Sequence, residues 1–492
     1  MRALLAALLL VLVAPSLALA GPTARVAEGV AEGVALPGGV AVFHSLPYAA
    51  PPTGPLRWRA PRPAPPWSGV RSAKAFGPSC TQNISAKGWG PWTGEFSPQG
   101  AVSEDCLTLT VWTPAHRPGE RLPVMLWIPG GGLTDGGEAA LVTNAAALAA
   151  RGVVVVSINY RVAAFGLLAH PATPGEADGT RGNQAVKDAL AALTWVHANA
   201  EAFGGDPGRI TLAGQSAGGA LSYILLAHPA AKGLIAGAII QSFPPGAERL
   251  PDAMTMRDAS VAFGEAMLAA PATTVLAASG DAGLNLFVDG VHIRDPGFAP
   301  ITDIAPVPIL IGVTADELSW LKPTLASHRE SVAKHGPDFL RLYPAATDAQ
   351  ALDAALAADR DDNLVGLRRW RAARARAAGG PSFVYLWDHP LPGPRAALYR
   401  AFHSSEVPYM FGSLDLIPAR PFTERDRAIA GRMMDYWANF VKTGDPNGAG
   451  LAVWPREGVM RLGQAFEPLP EPPADVIALF NAYDDRTGRF SF

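Results

Sequence analysis

The sequence predicts an α/β fold, in which a mostly parallel central sheet is flanked by helices on both faces. Three observations carry that expectation. Short apolar runs rich in β-branched residues are separated by longer segments of helical periodicity. The runs are apolar throughout rather than alternating, as strands buried on both faces are. Apolar residues make up 49% of the 492 positions and charged ones 17%, enough to fill the core of such a sheet.

The elements follow in chain order. Met1 and Arg2 form a minimal positive start, residues 3–13 an apolar run, and Ala18-Leu19-Ala20 the small residues a signal peptidase needs before Gly21. The expectation is a signal peptide over residues 1–20 and a secreted or periplasmic protein. An uncleaved anchor is the alternative. No other segment reaches 18 consecutive apolar residues, so no stable membrane insertion is expected after cleavage. Residues 21–492 contain no repeat and no linker long enough to divide them, which predicts a single domain. The proline-rich stretch 47–66 is interrupted by aromatic residues and suits a packed arm better than a tether.

Residues 123–128 (PVMLWI), 152–158 (GVVVVSI), 210–213, 307–311 and 383–387 read as buried strands. Between the second and third, residues 183–203 place Val186, Ala189, Leu190, Leu193 and Val196 on one helical face. Strands separated by helices are the pattern of a parallel sheet.

Charge excludes some partners. Forty basic residues against 43 acidic ones, with no Lys/Arg tract, argue against nucleic acid and against an anionic membrane surface. Cys80 and Cys106, the only two cysteines, can close one loop in an oxidising compartment; two free thiols are the alternative. No His or Cys cluster stands at metal-ligand spacing, so no metal is expected.

The sharpest chemical signal is the run Ile210-Thr-Leu-Ala-Gly214-Gln215-Ser216-Ala217-Gly218-Gly219. An apolar strand enters Gly-x-Ser-x-Gly, and Leu221, Ile224 and Leu225 follow at helical spacing. This is the strand–turn–helix context of a nucleophile elbow. Glycines flank the serine because the turn leaves little room for β-carbons, and the helix N-terminus favours developing negative charge.

A serine hydroxyl needs a base, and the base an orienting acid, in the chain order Ser, acid, His. His403 lies in a polar turn, Ala401-Phe402-His403-Ser404-Ser405-Glu406. Asp316 and Glu317 both follow the strand over 307–311, where an active-site loop belongs. Pattern alone leaves the choice open. Pro129-Gly130-Gly131-Gly132 directly follows the strand over 123–128, and consecutive glycines leave backbone N–H groups bare for an oxyanion. No Gly-Lys-Ser/Thr follows, which excludes a Walker phosphate loop, and GxGxxG is absent.

These residues resemble the type-B carboxylesterases of the cholinesterase/carboxylesterase group of α/β-hydrolases. The likeness runs through Leu46-Pro47-Tyr48-Ala49, Ser103-Glu104-Asp105-Cys106-Leu107, Asn159-Tyr160-Arg161, Phe203-Gly204-Gly205-Asp206-Pro207, the elbow, and Val407-Pro408-Tyr409-Met410-Phe411-Gly412. It implies the α/β-hydrolase fold and hydrolysis of small carboxylic esters through an acyl-enzyme, without cofactor. By the same resemblance Ser216, Glu317 and His403 are nucleophile, acid and base, and Gly131, Gly132 and Ala217 donate to the oxyanion. Gln215, Ser242 and Glu406 stand behind them, and Cys80 pairs with Cys106. Trp89 and Trp92 fall inside the loop that this bond would close, where choline-binding members carry a cation-binding aromatic; neither position aligns with it, and loop packing is the favoured reading.

Three departures qualify that pattern. Pro129 replaces the usual His before the glycines, but the implied donors come later. Gln215 replaces the usual Glu and removes a charge from beside the base. The stretches from Ser242 to Asp289 and from Glu317 to His403 are shorter than usual, which implies a more open approach. Two rival functions fit the same motifs, acyl transfer to an acceptor alcohol and a non-catalytic recognition module. Members of the second kind lose triad residues, and all three are present here. Asn83-Ile84-Ser85 is a glycosylation sequon. The sequence carries no signal for oligomeric state.

Overall fold

A computed structural model describes residues 21–487 apart from 85–87, 246–248 and 281. The expected signal peptide and Ser85 of the sequon lie outside the described residues. The α/β expectation holds. The main sheet contains β1 (Val34–Ala35), β2 (Ala41–Pro47), β3 (Thr108–Thr113), β4 (Leu122–Ile128), β5 (Val154–Ile158), β6 (Gly205–Gln215), β7 (Gly237–Gln241), β8 (Ile309–Thr314), β9 (Ser382–Trp387), β10 (Val459–Leu462) and β11 (Glu467–Leu469). Their spatial order is β11-β10-β9-β8-β7-β6-β4-β5-β3-β2-β1. From β10 across to β5 all neighbours run parallel, and antiparallel strands are added at both edges.

Helices α1 (Gln184–Asn199), α2 (Ala217–Ala227), α3 (Asp348–Arg376) and α4 (Glu424–Thr443) flank this sheet. Every residue of β5 and β8 is buried, since helices cover both faces and leave no wet side for polar alternation. The helix expected over 183–203 ends earlier. Four residues tighten into a 3₁₀ turn at Ala200–Phe203, and Gly204 stops it in the left-handed region at φ 73°.

Strand bounds differ where polar residues or prolines intervene. β6 starts at Gly205, five residues before the apolar run, and its register with β4 shifts between Gly205 and Ile210. β8 starts at Ile309, later than expected, because Pro306 and Pro308 lack the N–H a ladder needs. Strands β2, β3 and β7 do not stand out in the sequence. β3 is TLTVWT, buried at all six positions although half of it is threonine.

The parallel strands end on one side, and their carboxyl ends hold the candidate chemistry. Gly130 follows β4, Ser216 follows β6, Ser242 follows β7 and Glu317 follows β8.

Candidate active site

Ser216 is the single residue between β6 and α2, with φ 57° and ψ −127°. A non-glycine residue rarely adopts that conformation, and it lifts the hydroxyl out of the strand. The flanks must be small. A β-carbon on Gly218 would drive into the Ile128 carbonyl at the end of β4. The Ser216 N–H donates to Gln241 O at 2.9 Å, which ties the turn to β7.

The glycine turn after β4 lies against this elbow. A β-carbon on Gly130 would sit 2.7 Å from Gln215 O and 3.2 Å from Ser216 Cβ. Gly131 adopts φ 119° and Gly132 φ 60°. The N–H groups of Thr134 and Asp135 fold back on Gly131 O at 3.0 and 3.1 Å, while Tyr160 Oη donates to Pro129 O at 2.9 Å. Among the described residues the N–H groups of Gly131, Gly132 and Ala217 donate to no protein acceptor. Three bare donors beside a lifted serine suit a developing oxyanion.

The choice between the two acids is visible in the contacts. Glu317 Oε2 holds His403 Nδ1, and Glu317 Oε1 accepts the Thr314 N–H at 2.7 Å. Asp316 turns to the backbone instead. Its N–H donates to Ala401 O and its Oδ2 accepts the Ala401 N–H, both at 3.1 Å. Asp316 thus pins the loop while Glu317 takes the ring. Behind them Trp387 Nε1 donates to Ser405 Oγ at 3.0 Å, and Gln241 Nε2 donates to Glu406 Oε1 at 3.0 Å.

The second ring nitrogen departs from the simple expectation. Gln215 Nε2 stands 3.0 Å from His403 Nε2. With Nδ1–H on Glu317, Nε2 carries the lone pair and accepts the Gln215 N–H. Among the described residues Ser216 Oγ makes no hydrogen bond to His403. Catalytic hydrogen bonds of this kind tighten once substrate is bound.

Electrostatics shift His403 toward its protonated form. Burial opposes its charge, but the Glu317 carboxylate and hydrogen bond outweigh that, Glu406 and Asp359 add to them, and the pKa rises. Burial likewise raises Glu317, but the His403 charge and hydrogen bond and the Thr314 N–H bring it below the usual range. Burial and the Glu317 charge push Glu406 up to about 7.

The chain matches the carboxylesterase family over residues 21–354 and 340–460. The chain belongs to the carboxylesterase family. It is 32% identical over 483 residues to the cocaine esterase of Oryctolagus cuniculus, covering 89% of this chain and 88% of that protein. It is 33% identical over 470 residues to carboxylesterase 5A of Felis catus, covering 85% and 84%. The fumonisin B1 esterase of Sphingopyxis macrogoltabida is 32% identical over 466 residues, covering 87% and 83%. Membership makes this chain a carboxylic-ester hydrolase acting on small-molecule esters. Cys80 and Cys106 are disulfide-bonded, as in the pairing that the family likeness implied. Among the described residues no helix is long and apolar enough to cross a membrane.

Some neighbours of His403 are not marked by sequence patterns. Trp92 reaches beyond its own loop. It stands edge-on to the His403 ring at 6.2 Å, held by its Nε1 donating to Ser404 Oγ at 3.2 Å. Trp89 stacks on Trp92 at 5.2 Å, and Trp320 meets both. Trp320 follows Glu317 by three residues, and that closeness along the chain is the one signal that could have found it. Asp359, on α3, adds a carboxyl pushed up to about 8 by burial and then by Glu317. Nothing in its helical surroundings marks it from sequence.

Proposed function

We propose that this carboxylesterase works through an acyl-enzyme on Ser216. His403 takes the hydroxyl proton at Nε2, and Ser216 Oγ attacks the ester carbonyl. Glu317 holds the imidazolium that forms, and the Gly131, Gly132 and Ala217 N–H groups receive the oxyanion. The alcohol then leaves with the proton from His403. Water, deprotonated by His403, attacks the acyl-enzyme; the acyl–Oγ bond breaks, His403 returns that proton to Ser216 Oγ, and the acid leaves.

The observation that carries this reading is the Glu317–His403 contact at the carboxyl ends of the strands that present Ser216. Before attack, the Gln215 amide must release or share Nε2, since one lone pair serves one strong donor. Gln215 also brings no negative charge to the site, which supports a preference for neutral over choline esters. The names of the relatives, esterases for cocaine and fumonisin B1, fit a chain that accepts bulky esters. The leader over residues 1–20 and the disulfide support export. The deciding experiment runs p-nitrophenyl esters of rising chain length beside bulky aromatic and choline esters. Hydrolysis of the neutral set, with stoichiometric labelling of Ser216 by an organophosphonate, is expected. Label on another residue overturns the assignment.

A further inference from the structure

A cavity of about 140 Å³ lies behind His403, formed by the segment that precedes it and the loop closed by the disulfide. Neighbouring residues alternate between cavity and site. Pro91 and Thr93 line the cavity while Trp92 faces His403, and Phe402 lines it immediately before His403. Phe402 lines the cavity and meets Trp92 edge to face at 6.0 Å, so one ring contact separates the cavity from His403.

The lining combines apolar surface with unbalanced positive charge. Leu391, Phe402 and Tyr399 supply the apolar part, and Arg395, Arg400 and Arg420 the charge, against Glu95 alone. Arg420 is committed to Glu95 at 2.6 Å and Thr93 at 2.7 Å. Arg400 is shared between Asp353 and Asp316. Arg395 is different. It is exposed, lies over the Tyr399 ring at 5.2 Å and, among the described residues, pairs with no carboxylate. A guanidinium with uncommitted donors above an aromatic floor suits a carboxylate attached to an apolar body.

We propose that this cavity binds a small carboxylic acid, its carboxylate on Arg395 and its apolar part against Leu391 and Phe402. An ester hydrolase releases molecules of this class, so the proposal deepens the ester-hydrolase reading and rests on it. The carboxylate has two possible sources, the enzyme's own product or a free acid from elsewhere.

The test uses the full chain carrying Ser216→Ala, so that binding needs no turnover, with 4-phenylbutyrate titrated by calorimetry. One saturable site is expected. Adding Arg395→Gln should raise Kd about tenfold, as loss of a charge-assisted contact at an exposed site implies. Arg395→Lys should recover part of it, and Ala396→Phe, which fills the cavity, should abolish binding. With Ser216 restored, Arg395→Gln should hydrolyse neutral esters at the wild-type rate. Acids of rising chain length separate the sources. Tightest binding by the acid of the best-hydrolysed ester marks a product site, and by another acid a site for external acids. Absence of saturable binding, an unchanged Kd in Arg395→Gln, or loss of binding when wild-type Ser216 is phosphonylated would each overturn the proposal. Failure of the wild type to hydrolyse any ester would instead strike the functional reading.

Discussion

Gln215 Nε2 stands 3.0 Å from His403 Nε2, on the ring nitrogen opposite the one that Glu317 holds. The imidazole is therefore held at both ends, by a carboxylate on one side and a neutral amide on the other. A Glu at position 215 would put a second negative charge on the ring. That charge would stabilise the imidazolium and hold its proton to higher pH. The proposed mechanism needs neutral His403, so Gln215→Glu should move the acid limb of kcat/KM upward, by roughly one unit or less. A limb that stays in place or moves down in the pH–rate profile would refute this account.

Ser216→Ala should lower kcat on the order of 10⁶-fold, because the proposed mechanism then loses its nucleophile and strands its base. Circular dichroism and the melting temperature should stay near wild type. Near-normal turnover in the alanine variant would remove Ser216 from the chemistry.

Glu317 and Asp316 are adjacent but make different contacts, and their amide variants should separate. Glu317→Gln leaves His403 without a charge partner and should cost on the order of 10³ to 10⁴ in kcat. Asp316→Asn keeps an oxygen for the Ala401 N–H and should stay within about threefold of wild type. Equal losses in the two variants would contradict the division of roles.

Glu138 tests a buried carboxyl away from the chemistry. Its Oε1 accepts from Ser45 Oγ at 2.7 Å and Thr108 Oγ1 at 2.8 Å, yet burial pushes its pKa up to about 7. A carboxyl whose pKa rises on folding binds protons more tightly when folded. Its contribution is complete below the unfolded value near 4.5 and is lost as pH rises through 7. Glu138→Gln does not titrate, so its stability relative to wild type should improve from pH 5 to pH 8, by roughly 3 kcal/mol at most. Urea melts of both proteins at the two pH values supply the check, and a difference independent of pH would sink the idea.

The Cys80–Cys106 bond closes a loop with a sequence separation of 26. Replacing both cysteines by alanine should cost about 3 kcal/mol of stability. Non-reducing peptide maps should recover the two in one linked fragment. Two alkylatable thiols would show that the bond does not form.

The strand-to-helix elbow at Ser216, the bare glycines at 130–132, and the order of serine, acid and histidine are all legible along the chain. These are local matters. A strained turn demands small neighbours within a few residues, and a strand buried on both faces demands an unbroken apolar run. Pattern along the chain does not separate Asp316 from Glu317, and the family likeness points to Glu317. The contacts show why, since adjacent side chains leave the loop in different directions and the approach of residues 401–403 selects between them. Packing also brings Gln215 onto His403 Nε2, across 188 positions of sequence, and sets Trp92 beside the same ring with Trp320 against it. Such contacts depend on how the loops meet at the ends of separate strands, and periodicity along the chain carries no record of that.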